Sequence, residues 1–451
     1  MPAAEHPRQE PADTSEPGRV AGDAPPVVTI PAHAPSLWRD RTFRSIWGGR
    51  TASLFGDQVT NLALPWLILL QTHSAFAAGV VSAARYAPVL TLALVAGLVA
   101  DRVERRALAI ACDLGRALAL GAVAALGLLG QVPPLWLLTI VVVVLGMGQL
   151  FFGVAFRAWL PDVTRDERLG QANAALEASD AASVLVGAPL GGALIAAIGP
   201  TLALGADALS YAVSALTLAR IPSSGRPVRP RADAGVGQDG RLHVVWVDAL
   251  AGVRTILHTP AQRLLKGAGT ALYLDAGAIE VLLATLTQLH LRLPAWQAGL
   301  VFGAAGVGGL LSSAVAPRIY AWGWQRGLAS ALGVAALGSA GLAWASVLDP
   351  ARGFIVALAS NLVLDGAVAL GFVLSGTAST LVTPRDLRGR VGAAGAIYEA
   401  LVRGGGAVGL GALAATGATL PAFVVLACCC AGAALVTVRM RAPVEAVNGL
   451  D

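Results

Sequence analysis

Acidic and basic side chains recur at helical spacing inside stretches of this sequence that are otherwise almost wholly apolar. Arg50, Ser53, Asp57 and Asn61 follow one another at intervals of three and four residues and form one polar stripe. Arg85 falls at a comparable depth in the next apolar stretch and could pair with Asp57. Asn173, Glu177 and Asp180 make a second stripe, Asp275 and Glu280 lie about half a turn apart, and Glu399 with Arg403 is an i,i+4 pair. An ionised Asp at the centre of a lipid-solvated helix costs about 2.5 to 3.5 kcal/mol, so such groups face a cavity or a partner. A buried carboxylate whose proton affinity responds to its neighbours can couple proton movement to a binding site. The competing role for each acid is a packed ion pair that only joins helices. Asp113, Arg116 and Glu177 lie nearer the helix ends, where a gate or simple snorkelling serves equally well.

Other chemistry finds little support in the residues. The single lysine, Lys266, is followed by Gly267 and belongs to no phosphate-binding G-x-x-x-x-G-K-[ST] loop. No HExxH, GxSxG or Cys/His cluster occurs, so neither a metal, a cofactor nor a hydrolytic enzyme is expected. Cys112 and Cys428 to Cys430 lie in apolar stretches and read as small buried hydrophobes. His290 stands near a helix end, where a single histidine is usually incidental.

The composition sets the elements that must hold these groups. Of 451 residues, 56% are hydrophobic and 13% charged, about half the charged share of an ordinary soluble domain. At about 20 residues per crossing, the chain accommodates roughly 12 transmembrane helices, an all-α membrane protein. The first six spans are expected near residues 46–70, 76–100, 107–130, 135–156, 169–198 and 201–219. The last six are expected near 263–290, 296–320, 326–347, 353–378, 390–416 and 418–438. Residues 1–37 form a Pro- and Ala-rich tail without an apolar leader segment, read as disordered. Bundles at 38–220 and 259–441 flank a Pro-, Gly- and Arg-rich linker at 221–258, whose end from Val244 to Leu257 reads as a surface helix. Residues 442–451 complete a short C-terminal tail.

The net charge of +5 marks topology rather than a nucleic-acid partner, because the arginines fall in alternate loops. Arg102, Arg105, Arg106, Arg157, Arg165, Arg168, Arg318, Arg326, Arg385, Arg388, Arg390, Arg439, Arg441 and the linker arginines share one side. Only Arg292 and Arg352 stand on the other, so both termini are expected in the cytoplasm of a bacterial cell membrane. The halves repeat: Arg165, Asp166 and Arg168 align with Arg385, Asp386 and Arg388, and Asp57 aligns with Asp275. Parallel six-helix repeats imply alternating access about a midplane site.

GLVADRVERRAL, from Gly97 to Leu108, resembles the loop between helices two and three of the major facilitator superfamily of secondary transporters. FGDQVTNLALPWLILLQTHSAFAAGVV, FFGVAFRAWLPDVTRDERLGQANAALEAS, GAPLGG and ADALSYAVSAL extend the resemblance to the drug-proton antiporters that include macrolide efflux proteins and the enterobactin exporter. The resemblance implies a latch, or cytoplasmic gate, at Gly97, Asp101, Arg102, Arg105 and Arg106, to which Arg388 and Arg390 add their charge. It implies an antiporter-type packing stripe at Gly187, Gly191 and Gly192 beside Pro189. Glu104 stands where the wider family has glycine, and Pro189 is one residue later than the usual Gly-Pro. Gly97 is expected to let two helices approach closely.

The resulting expectation is a monomeric exporter of an amphipathic small molecule, such as a drug, an antibiotic or a secondary metabolite, driven by inward proton flow. Asp57 and Asp275 would be the protonated groups, with Arg85 and Arg403 as partners. Its partners would be the bilayer, the substrate and protons. An importer, a lipid or lysolipid translocator of the same fold, and a non-transporting membrane sensor are the alternatives.

Overall fold

A computed structural model describes residues 37–100, 102–222, 252–384, 387–416 and 419–439. The expected tails, most of the linker, Asp101, Arg385 and Asp386 lie outside the described residues. Helix follows helix: α1 is Arg41–Thr72, and α2 is Ala75–Ala83, a 3-10 turn Ala84–Tyr86 and Ala87–Ala100. Next come α3 (Arg105–Leu128) and α4 (Leu135–Val163). The fifth helix, α5, joins Asp166–Ala182, a π-turn Ser183–Gly187 and Ala188–Ile198, and α6 is Pro200–Ala219. Residues 252–258 are helical. Then α7 joins Pro260–Thr285 to a π-turn Leu286–His290. The last five are α8 (Ala295–Tyr320), α9 (Trp324–Ala345), α10 (Pro350–Val382), α11 (Arg388–Ala415) and α12 (Thr419–Arg439).

Ten stretches among the described residues are long and apolar enough to cross a membrane; α1 and α11 are not among them. Those two carry the polar stripe Arg50–Asp57–Asn61 and the i,i+4 pair Glu399–Arg403. Several helices outrun the apolar spans, because local capping rather than hydropathy ends them. The start of α1 lies at Arg41, where Asp40 accepts from the backbone N–H of Thr42 at 2.9 Å and of Phe43 at 3.4 Å. Similarly α4 continues through Pro161 to Val163, so Arg157 belongs to a helix rather than a link; its Nε donates to the Gly153 carbonyl at 3.1 Å.

Packing repeats across the chain. In the first six helices α1 packs on α5 and α6, α3 on α4 and α6, and α2 on α4; the same pairs six helices later, α7 with α11 and α12, α9 with α10 and α12, and α8 with α10, also pack. Contacts between the halves run through α5 with α8, α2 with α11 and α1 with α7. They gather toward the arginine-poor end, which carries the turns at 73–74 and 291–294. A Cβ on Gly192 would stand 2.5 Å from the Ala295 carbonyl oxygen and 2.8 Å from the Gly299 Cα, and one on Gly411 2.9 Å from the Ala75 carbonyl oxygen. Gln288 of α7 donates to the Trp66 carbonyl of α1 at 3.4 Å. At the arginine-rich end, Gly97, Gly170, Gly389 and Gly392 have nothing within 4 Å of where a Cβ would stand. The expected close approach at Gly97 is therefore not made.

The two classes of glycine make opposite predictions. Gly192→Ala should destabilise by about 1 to 3 kcal/mol through overpacking, whereas Gly121→Ala, with open space around it, should be neutral or stabilising by up to about 1 kcal/mol. Thermal unfolding of both variants in detergent micelles measures the difference.

Candidate substrate and coupling site

Asp57 sits on α1 where that helix meets α6, and it accepts a hydrogen bond from the Tyr211 hydroxyl. The expected pair with Arg85 is not formed. Spacing along the chain gave the depth of Arg85 but not its direction: its Nη1 instead donates to Asn61 Oδ1 at 3.0 Å and lies 3.9 Å from Glu280. The Tyr211 ring supports the Arg116 guanidinium, 4.3 Å from the ring centroid, and Phe152 of α4 covers it from 5.0 Å. Arg116 donates to Asp113 Oδ1 at 2.5 Å, and both side chains are almost wholly buried. Nearby, Asp207 is 0% exposed and held by Thr60 at 2.5 Å and Ser210 at 2.8 Å. Three carboxylates and one buried arginine thus share the space among α1, α3 and α6.

Arg85 reaches the middle of the molecule because α2 is bent there. Pro88 has no N–H to give the Ala84 carbonyl, and Ala87 takes that carbonyl in a 3-10 turn instead. The turn packs tightly on α4, whose Gly146 would bring a Cβ 2.9 Å from the Arg85 carbonyl carbon. From this turn Arg85 joins α1 to α7, and Tyr86 lies beside Arg403 of α11. Glu280 consequently faces the first half, while Asp275 faces Asp365 and Arg403.

In the second half Asp275 is 2% exposed, and its Oδ1 has no hydrogen-bond partner among the described residues. Arg403 donates to Glu399 at 2.7 Å, one turn away on the same helix, rather than to Asp275. Aromatic rings brace it: Tyr273 at 5.9 Å and Phe372 at 5.6 Å. Tyr398 adds a hydroxyl within 2.5 Å of Thr270. On α5, Glu177 and Asp180 are exposed, and Asp180 is within electrostatic reach of Arg50 and Asp57. Asp207, Tyr211 and Asp365 were missed in the sequence. Each is an isolated polar residue in an apolar run, and the four-residue step from Asp207 to Tyr211 was the available signal.

The predicted gate residues divide. Arg105 donates to Asp162 at 2.7 Å and to the Ala158 carbonyl at 3.0 Å, and Arg106 donates to the last carbonyls of α6, Leu218 at 3.0 Å and Ala219 at 2.6 Å. These bonds tie α3 to α4 and α6 within the first half. Gly97 and Arg102 are exposed, and Arg388 donates to the Thr383 carbonyl at 3.3 Å. The Arg390 carbonyl lies against Gly252 of the short helix before α7. Gly187 and Gly191 rest on Gln58 and Val59 of α1, with a Cβ on either 3.0 Å from its neighbour, while Gly192 rests on α8. Pro189 follows the π-turn and has no N–H to give the Leu185 carbonyl. Of the cysteines only Cys430 is buried; Cys428 is exposed, and Cys112 and Cys429 are half-buried, a correction to the uniformly buried reading.

The family model of the Major Facilitator Superfamily matches residues 46–410. The chain belongs to the major facilitator superfamily. Among curated members, the multidrug efflux pump Tap of Mycolicibacterium fortuitum is 29% identical over 217 residues, covering 47% of this chain and 51% of that protein. Macrolide efflux protein A of Streptococcus pyogenes is 24% identical over 189 residues, covering 42% and 46%. The chain spans about half the length of the curated relatives it matches. Among solved major facilitator folds, a bacterial homologue of the iron transporter ferroportin in an inward-facing state superposes with a TM-score of 0.63 at 18% identity, covering 89% and 97% of the two chains. The nucleoside transporter NupG gives 0.65 at 12% identity, covering 89% and 100%. The chain is thus a multi-pass membrane protein of this superfamily.

Arg116→Leu strands Asp113 in an apolar interior and should cost about 3 to 5 kcal/mol. Adding Asp113→Asn should recover a large part of that loss. A double-mutant cycle on thermal unfolding in micelles reads the coupling directly.

Proposed function

We propose that this protein exports an amphipathic small molecule across a bacterial cytoplasmic membrane by proton antiport. Two six-helix bundles, residues 38–220 and 259–441, rock about the polar centre. The observation that carries the reading is where the halves touch: glycine contacts join α2 to α11 and α5 to α8 toward the arginine-poor end, while Gly97, Gly170, Gly389 and Gly392 toward the opposite end have nothing within 4 Å of where a Cβ would stand. In this arrangement the centre communicates with the arginine-rich side, which positive-inside topology assigns to the cytoplasm. Tap and macrolide efflux protein A, the similar curated proteins, support efflux as the direction.

Substrate would enter between the halves against Tyr86, Tyr273, Phe372 and Tyr398, where apolar rings alternate with Glu280, Glu399 and Arg403. Asp57 is the proposed proton carrier. It is half-buried, whereas Asp207 and Asp113 are sealed. Protonation would remove the charge it contributes beside Arg116 and Asp180, altering how α1 holds α6 and α5. Asp275 would carry the second proton site, with Asp365 and Arg403 around it. The arginines at 102, 105, 106, 388 and 390 would meet when the arginine-rich end closes.

Inverted membrane vesicles energised by respiration test this. Asp57→Asn should lower proton-linked uptake of a fluorescent cationic or macrolide substrate at least tenfold while leaving membrane insertion intact. Unchanged uptake in Asp57→Asn removes that residue from coupling, and uptake unaffected by a proton uncoupler removes antiport altogether.

A further inference from the structure

A groove of about 820 Å³ runs between α7 and α12, lined by Leu264, Gly267, Ala271 and Leu274 on one wall and Cys429 and Val436 on the other. It touches the central site through Thr270 alone, whose hydroxyl is bonded to Tyr398. Tyr273, which faces α10 and α11, is two residues on from Ala271 and so about 200° around the helix. The groove therefore opens on the membrane-facing side of α7, next to the exposed Val436 and Val438. Along α7 its lining extends from Pro260 to Leu274, about 21 Å of helix. That is somewhat longer than one leaflet's share, about 15 Å, of a hydrocarbon core.

Its end is basic. Arg263 belongs to the lining, and Arg439 stands one turn beyond Val436. A second hollow, of about 390 Å³, is lined by Arg254, Thr255, His258 and Thr259, the last of these next in the chain to Pro260 of the groove. Arg254, His258 and Arg263 are exposed, and neither they nor Arg439 make an ion pair among the described residues. Two other arginines at this end do have partners, Arg105 on Asp162 and Arg106 on α6, while Arg102, Arg165, Arg318 and Arg326 are exposed and stand outside the groove's lining. Unpaired cations at a helix end beside a long apolar slot complement a molecule with an anionic head and a hydrocarbon tail, held in the plane of the bilayer.

We propose that the α7–α12 groove is a binding site for an anionic phospholipid, with one acyl chain along Gly267, Ala271 and Cys429 and its phosphate among Arg254, His258, Arg263 and Arg439. The bound lipid would tie the short helix at 252–258 to both helices. That helix also lies against the Arg390 carbonyl of α11, so occupancy would brace the arginine-rich end of the second half. Thr270 aside, the site stands apart from the transport path, and it does not depend on the direction of transport.

Native mass spectrometry of the full-length protein in micelles, titrated with phosphatidylglycerol or with phosphatidylcholine of the same chains, tests it. Phosphatidylglycerol should be retained as a one-to-one adduct at least fivefold better. The double variant Arg254→Gln, Arg263→Gln should lose about tenfold in phosphatidylglycerol retention while holding phosphatidylcholine as before. Gly267→Trp, which fills the slot from a position with open space around it, should reduce both. Equal retention of the two lipids by the unaltered protein overturns the proposal, and so does undiminished phosphatidylglycerol binding by the charge variant. Displacement of the lipid by glycerophosphate alone would reduce the site to a headgroup contact and overturn it; displacement by a transported drug would assign the groove to the transport path and overturn it as well.

Discussion

Desolvation of charge constrains this molecule more than any other term. A bundle surrounded by hydrocarbon gains little from apolar contact between its helices, since lipid tails are as apolar as leucine. Every ionised group inside it must be answered from within. Asp113 and Arg116, less than one turn apart on α3, answer each other, and two aromatic rings close over the arginine from α4 and α6. Asp207 is answered by hydroxyls. These arrangements fix the mutual orientation of α1, α3, α4 and α6, because no member can rotate without exposing a charge to lipid. Asp275 lacks an ion-pair partner of this kind, and its Oδ1 is left without a hydrogen bond among the described residues, as is Asp113 Oδ2.

Rigidity inside each half contrasts with the way the halves meet. Their shared surfaces are built from glycine against backbone, at Gly79, Gly192, Gly299 and Gly411. Contacts of this type are close and shape-dependent yet carry no charge, so they can be parted without uncovering an ion. The charged contacts across the halves are few: Arg85 lies 3.9 Å from Glu280, a distance at which attraction is modest, and the partners are 20% and 30% exposed. Energy is therefore concentrated within the bundles and sparing between them, the distribution a rocking mechanism requires.

Much of this was legible in the residues. Apolar period and length located the helices, and the spacing of Arg50, Asp57 and Asn61 identified a stripe that does face the interior. Glu399 with Arg403 needed only helix geometry and is found as read. What sequence could not supply was direction around an axis that bends. Arg85 was assigned to Asp57 on depth alone, and a 3-10 turn forced by Pro88 aims it at Asn61 and Glu280 instead. Tyr211 escaped notice because a tyrosine in an apolar helix is ordinarily a core residue, and its role exists only beside α1 and α3. Gly97 was read for close packing from its type, whereas whether a glycine touches anything depends on which end of the molecule has closed.

The wide turn at Ser183–Gly187 gives α5 a property that neither of its flanking segments has. It stores one residue more than an ordinary helical turn. Drawing that residue back into regular helix would rotate the acid-bearing segment with Glu177 and Asp180 by about 100°, while Gly191 and Gly192 stayed seated on α1 and α8. A swivel in the middle of one helix would thus let the cavity wall change its electrical character while the seam between the halves holds.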